Sequence, residues 1–582
     1  MISLSEVGSK LISEMEDLLC TTRPVDVWRI KQLVLASPGI LDEPRLRPRV
    51  WAVLLGCDLS SEEEDMAIPE QACDEQVVLE ADVRRTRSEL EDFRTPVFQT
   101  ALQAMLQTFC LMHDVAYRQG MHEIAAPFLH MCPPPATRRA YILFEAVLLK
   151  YLTRLMLEED SRFLFKSFRF MHQLLLYHDP ELAVHLFNQN HVPELWLPQL
   201  ILTNFARNVP LQKVFRLWDF QLAVDDPSYL FCIAASLLTE NRDPLLKATG
   251  PEQLSGLISS LTCFTNADQV SRRAHEIFLK SPEGFLESLR LCCVSRGEQH
   301  LFTRADRKQE SVRGEVARAG DEAMAKQSVR SCITLSAGEV QAYLSSLEDI
   351  GGAEHFIIDL RSASEKAETG IGNVVGAYCL DPHLLETDQA TVEIWLEHID
   401  KFKGKHIVIL DVPMLRGAAS TNLALVRRLL FGEGDGSRKA GELSFSWSPR
   451  DRSSRFIESE DLAAEDDSVR SSVRLALIMI SKGFNYVSVC DGGLPAIVQH
   501  LLNVNGNVRP YVERLDEIKW LRYSKKIFRS GDHLEHQTVR QQLSNLSEDI
   551  KCATATAVAE RLGHTHMKRE LGLRCGGVEA AL

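Results

Sequence analysis

The chain predicts a multidomain fold: an all-α domain over residues 25–295, then a small α/β domain with a parallel sheet over 333–508, and a short helical C-terminal tail over 509–582. Three observations carry this. From residue 25 to 290, apolar side chains recur at three- and four-residue steps with no alternating strand pattern between them. Beyond residue 330, short apolar runs alternate with helical stretches, the pattern of a buried parallel sheet. Between the two, Arg304, Asp306, Arg307, Lys308, Glu310, Arg313 and Glu315 stand among few apolar neighbours, as in a solvated linker, placed at 296–332. A chain of 582 residues also exceeds a single hydrophobic core.

Taken in order, residues 1–24 are assigned to an N-terminal helical extension. Thr95-Pro96 is a helix start, a capping hydroxyl followed by Pro at the first helical position. Phe98, Leu102, Met105, Phe109 and Met112 then line one face. His178-Asp179-Pro180-Glu181 repeats the signal ahead of Leu182, His185 and Leu186. Further helices are expected over 141–157, 211–222 and 229–240. In the second domain, residues 355–360, 405–410 and 486–490 read as strands, and 423–431 and 473–482 as helices. An insertion near 432–467, rich in Gly, Ser, Glu and Asp, reads as disordered. The tail carries a helical pattern over 543–562, with Gly563 as C-cap, and a frayed, partly disordered end.

Composition excludes several classes. The net charge of -15 opposes bulk binding to nucleic acid or to an acidic membrane surface. The 14 cysteines are scattered in mostly apolar surroundings without metal spacing, which predicts reduced, buried thiols and no bound metal. No leader pattern or membrane-length apolar run is present, so a cytosolic protein without direct membrane insertion is expected.

Two stretches carry chemistry. Asp82-Val83-Arg84-Arg85-Thr86 places an arginine three residues past an aspartate, and Tyr117-Arg118-Gln119-Gly120-Met121 places a glutamine on a Gly-terminated turn. An exposed arginine can neutralise charge developing on a transferring phosphoryl group, and a glutamine amide can hold the attacking water. Both are what a small GTPase lacks when it works alone. By spacing alone, the first is more often a solvated helix-end ion pair and the second a helix cap with a packed tyrosine.

Motif order decides between these readings. Leu46-Arg47-Pro48-Arg49-Val50-Trp51, Asp82 to Thr86, Tyr117 to Met121, Asp179-Pro180-Glu181-Leu182 and Arg216-Leu217-Trp218-Asp219 resemble, in order, five motifs of the TBC domain, a family of GTPase-activating proteins for Rab GTPases. The resemblance implies Arg85 as arginine finger and Gln119 as glutamine finger. It makes Asp82, Thr86, Tyr117, Gly120 and Met121 Rab-binding or finger-supporting, and Arg47, Trp51, Trp218 and Asp219 core and loop-fixing. Two departures stand beside the glutamine: Arg118, where a small residue is usual, and His122, where Ser or Asn is usual. Both are read as an exposed basic face.

Ile358-Asp359-Leu360-Arg361, Gly376-Ala377 and Asp491-Gly492-Gly493 resemble a rhodanese-like domain. That resemblance puts the sulfurtransferase nucleophile at residue 411 and an arginine five residues on. Here they are Asp411 and Arg416, and a carboxylate cannot carry a persulfide, so an inactive domain is expected. Cys379 and Cys490 are expected to be buried structural thiols. The pairing of the two domains is similar to the TBC domain family member 23 group. It implies a Rab partner that brings its own GTP and Mg²⁺, no cofactor of this chain's own, and a peripheral place at the Golgi, the trans-Golgi network or endosome-derived vesicles. Endosome-to-Golgi traffic is the implied process; the alternative is a non-catalytic adaptor that binds golgin tethers.

Overall fold

The computed structural model describes residues 4–21, 25–37, 39–59, 65–158, 161–264, 266–294, 331–346, 355–387, 389–412, 471–504, 508 and 510–527. The expected helices at 423–431 and 543–562, the insertion near 432–467 and Arg416 lie outside them, as does the linker up to residue 330.

The first part is helical throughout. Its α-helices are α1 (Leu4–Thr21), α2 (Val27–Ala36), α3 (Leu46–Leu55), α4 (Gln76–Arg85), α5 (Pro96–His113), α6 (Met121–Met131), α7 (Thr137–Tyr151), α8 (Arg162–His178), α9 (Pro180–Asn188), α10 (Pro193–Ile201), α11 (Leu211–Val224), α12 (Tyr229–Thr239), α13 (Arg242–Lys247), α14 (Pro251–Phe264), α15 (Ala267–Lys280) and α16 (Glu283–Cys293). The two cap signals act as read. Thr95 accepts from the Phe98 amide at 3.4 Å with Pro96 opening α5, and Asp179 accepts from the Leu182 amide at 3.1 Å with Pro180 opening α9. Leu102, Met105 and Phe109 are buried along α5, but Met112, in its last turn, is exposed.

Residues 141–157 do not form the single helix expected. Helix α7 ends at Tyr151, Leu152 leaves helical geometry at φ −131°, and a π-turn follows over Thr153–Leu157. The break turns Arg154 inward, where it donates to the Leu291 carbonyl at 2.9 Å and lies over the Phe163 ring at 4.1 Å.

The core of the helical part holds an aromatic cluster. Trp51, Phe128, Phe215 and Trp218 pack together, with Phe128 and Trp218 stacked at 5.1 Å. Beside them the buried Asp219 carboxylate accepts from Arg47 Nε and Nη2, each at 3.1 Å, and from Trp51 Nε1 at 2.9 Å. Trp218 Nε1 donates to the Asn204 carbonyl at 2.8 Å. These four motif residues therefore hold α3, α11 and the loop after α10 together, the core and loop-fixing position expected of them.

The C-terminal region holds a five-stranded, all-parallel sheet of β1 (Ile333–Leu335), β2 (His355–Asp359), β3 (Tyr378–Cys379), β4 (His406–Leu410) and β5 (Val487–Cys490), in the order β1-β5-β4-β2-β3. Helices α17 (Ala337–Ser346), α19 (Leu384–Thr387), α20 (Gln389–Ile399), α21 (Ser471–Ser481) and α22 (Gly493–Val504) accompany it, and α18 (Ala363–Thr369) lies between β2 and β3 in the chain. β2 and β4 are buried from their second residue on, which is why they read as continuous apolar runs.

Residues Met1–Ala363 with Val374–Tyr511 make one compact unit, so helices and sheet pack directly. The Tyr486 amide donates to the Tyr177 carbonyl at 2.7 Å, Tyr177 Oη lies 2.9 Å from His406 Nδ1, and Gly284 N donates to Glu339 Oε1 at 2.9 Å. Ser364–Asn373 with Val512–Leu582 make a second, smaller unit, which includes α23 (Glu517–Ile527).

Candidate functional site

The candidate site is built on α4, the turn before α6, and one buried carboxylate. Asp82 is 2% exposed near the end of α4. Its Oδ1 pairs with Arg85 Nη2 at 2.5 Å, and its Oδ2 accepts from the Tyr117 hydroxyl at 2.8 Å. Each oxygen thus holds one of the two candidate stretches. The Arg85 side chain, one turn on at the last residue of the helix, remains 58% exposed. Gln119 is exposed two residues beyond Tyr117, on the turn that Gly120 closes at φ +113°.

The supporting residues are buried. Thr86 caps α4, its Oγ1 donating to the Asp82 carbonyl at 2.6 Å. Met121 is fully buried at the start of α6. A side chain at Gly120 would stand 3.1 Å from the Leu202 carbonyl oxygen and 3.2 Å from Met156 Cε, in a conformation that L residues rarely adopt.

The exposed basic face expected from Arg118 and His122 is not found. Arg118 is half-buried and donates to the Glu158 carbonyl at 2.6 Å. His122 is 4% exposed and faces inward, Nδ1 lying 2.8 Å from Tyr117 Oη, 3.2 Å from Asp82 Oδ2 and 3.4 Å from the Gly120 amide. The tautomer with its proton on Nδ1 satisfies the two shorter contacts: Nδ1–H donates to Tyr117 Oη, whose own proton goes to Asp82. The longer Gly120 contact is the one that this assignment gives up. Burial pushes His122 down to about 4, against the pull of Asp82 and with the positive fields of Arg85, Arg207 and Arg87 adding to it. The ring is therefore neutral near pH 7. Burial likewise raises the neighbouring Glu123 carboxyl, while Arg87 and Arg207 oppose that rise.

Arg87 is a site residue that motif reading passed over. Its backbone is left-handed at φ 49° and its guanidinium is buried, donating Nη1 to the Val209 carbonyl at 2.5 Å and Nη2 to the Ala206 carbonyl. It ties the α10–α11 loop to the end of α4. A basic residue just past a finger motif reads as surface charge, and only the fold turns it inward.

In the sheet region, Asp411 follows β4 and is buried. Its Oδ2 accepts from the Ser472 hydroxyl, and its carbonyl accepts from the Leu494 amide at 2.9 Å. Gly493, at φ +60°, leaves no room for a side chain, since a Cβ would stand 2.2 Å from the Asp411 carbonyl oxygen. Arg361 pairs bidentately with Asp359 at 2.7 and 2.8 Å, both fully buried. Cys490 is buried as expected; Cys379 is exposed, on the short strand at the sheet's edge, contrary to the expectation. Among the described residues, no group of His, Cys, Asp and Glu is arranged to hold a metal ion, and no helix is long and apolar enough to cross a membrane.

Residues 44–246, which contain the whole candidate site, match the family model of the Rab-GTPase-TBC domain. The chain carries a TBC domain. TBC domains act as GTPase activators on Rabs. The chain is 32% identical over 225 residues to the TBC domain-containing protein kinase-like protein of Gallus gallus, covering 38% of this chain and 24% of that protein. It is 28% identical over 222 residues to the GTPase-activating protein GYP5 of Saccharomyces cerevisiae, covering 38% and 24%. The chain thus spans about a quarter of the length of these curated relatives. The crystal structure of the Ypt/Rab-GAP domain of Gyp1p aligns at a TM-score of 0.37 and 17% identity, covering 47% of this chain and 98% of that one.

Proposed function

We propose that this protein accelerates GTP hydrolysis by a Rab-family GTPase, with Arg85 as arginine finger and Gln119 as glutamine finger. The observation that carries the reading is the shared Asp82 carboxylate. One oxygen orients Arg85, and the other holds the Tyr117 hydroxyl at the root of the Gln119 turn. Two exposed groups on buried, hydrogen-bonded supports suit residues that act on another protein's active site. On docking, the Arg85 guanidinium would leave Asp82 for the phosphoryl oxygens, and the Gln119 amide would hold the attacking water. The GTP and Mg²⁺ belong to the Rab. Hydrolysis measured across a Rab panel with wild type, Arg85→Ala and Gln119→Ala tests this; a wild type that accelerates no Rab refutes it.

The second region is proposed to be an inactive rhodanese-like domain, as in the TBC domain family member 23 group. The buried Asp411, engaged by Ser472 and Leu494, supports that reading, because a carboxylate stands where thiol chemistry would need cysteine. With the TBC domain it would form a surface for golgin tethers at the trans-Golgi network, in endosome-to-Golgi traffic, independently of the fingers. Golgin capture that disappears in Arg85→Ala, or no golgin binding at all, would sink this second role.

A further inference from the structure

The α10–α11 loop presents an arginine that the finger motifs do not include. Asn204, Phe205 and Asn208 hold left-handed backbone at φ 44°, 60° and 55°. Such geometry is costly for non-glycine residues and persists only where the surroundings enforce it. Here they do: Phe205, Ala206 and Val209 are buried, the Asn204 carbonyl is held by Trp218, and the Ala206 and Val209 carbonyls by Arg87. The Leu202 carbonyl abuts Gly120, so the loop also braces the Gln119 turn. Between the anchored Ala206 and Val209 stands Arg207, exposed and without a hydrogen bond or ion pair among the described residues. Its charge reaches both His122 and Glu123, as does that of Arg85.

The geometry points to Arg207 as a third contact with the GTPase, a pre-positioned cation that pairs with a carboxylate on the partner's surface beside the fingers. This rests on the GTPase-activating reading above. In a chain of net charge -15, local cations at the docking face favour the encounter with an acidic partner surface and help to set its register. Arg85 already has a direct ion pair with Asp82 to leave, whereas Arg207 makes no direct ion pair among the described residues and feels only the longer-range attraction of the Glu123 carboxylate. Its backbone is fixed before the partner arrives, so its contribution is present in the ground state and the transition state alike. Such a contact lowers KM and leaves kcat unchanged.

The test uses the full chain and Rab proteins loaded with a non-hydrolysable GTP analogue for binding, or with GTP for turnover. Arg207→Ala is expected to weaken Kd and raise KM about tenfold, with kcat within about twofold of wild type. Arg207→Glu should weaken binding further, Arg207→Lys should retain most of it, and the gap between wild type and Arg207→Ala should narrow as salt rises. Equal binding by Arg207→Ala overturns the proposal. A loss of kcat at unchanged KM overturns it too, placing the guanidinium on a nucleotide phosphate instead. If the wild type binds a Rab without accelerating it, the GTPase-activating reading fails while Kd still decides Arg207. If it binds no Rab, both fall.

Discussion

Tyr117→Phe isolates the link between the two proposed fingers, Arg85 and Gln119. The change removes one hydroxyl and leaves the ring in its buried place. That hydroxyl donates to Asp82 Oδ2 and lies against His122 Nδ1, both at 2.8 Å. A hydrogen bond to a charged group contributes about 1.5–3 kcal/mol. His122 Nδ1, already 3.2 Å from the same oxygen, takes over part of the role, so a net loss of about 2 kcal/mol is expected. The Gln119 turn then keeps its Gly120 geometry but loses its tether to the helix that carries Arg85. Misplacing a catalytic group by a fraction of its reach costs roughly 10- to 100-fold in rate. In single-turnover GTP hydrolysis on a responsive Rab, kcat should fall by about that factor, with KM within about twofold. Urea unfolding followed by intrinsic fluorescence reads the stability term. Wild-type rate and wild-type midpoint in Tyr117→Phe would refute the idea that Asp82 couples the fingers.

Two further outcomes follow from buried charge. Asp219→Ala leaves the buried Arg47 guanidinium with only the exposed Asp42 carboxylate at 3.2 Å and the Trp51 N–H without its acceptor, and should cost about 3 kcal/mol by urea unfolding, whereas the paired replacement Arg47→Met with Asp219→Leu should recover part of it, the Trp51 N–H staying unpaired. Acid should destabilise the fold between pH 6.5 and about 4. His122 is held neutral in the folded state down to about 4, while in the unfolded chain it takes a proton near its ordinary value; stability is therefore intact above 6.5 and lost as pH falls, by about 3 kcal/mol for this ring. His178, also depressed by burial, adds in the same direction, and Glu123, raised by burial, opposes. His122→Asn should flatten the stability–pH curve measured at fixed ionic strength, and an unchanged slope would contradict the assignment.

Much of this arrangement was legible because it is written locally. Thr95-Pro96 and Asp179-Pro180 announce their helices through a capping oxygen and a ring without an N–H, and β2 and β4 show their burial as unbroken apolar runs. Asp82, Arg85, Tyr117 and Gln119 stood out through motif order. What was hidden depends on tertiary packing. Nothing local says that His122 turns inward to a carboxylate on α4, or that Arg87 reaches the α10–α11 loop instead of solvent. The break after Tyr151 has no Gly or Pro to mark it, and the Arg154 contact with the Leu291 carbonyl that goes with it exists only in the folded packing. Cys379 sits in an apolar-looking stretch yet lies exposed, since β3 is the outer strand of the sheet.

The proposed joint action of Arg85 and Gln119 on a bound GTPase is tested by single-turnover GTP hydrolysis by a panel of Rab proteins with wild type, Arg85→Ala, Gln119→Ala and the double variant. Wild type should accelerate at least one Rab, Arg85→Ala should lose roughly 10³-fold or more, Gln119→Ala should lose much of the rate, and the double variant should be little worse than Arg85→Ala alone. A responsive Rab that Arg85→Ala accelerates as well as wild type would contradict it.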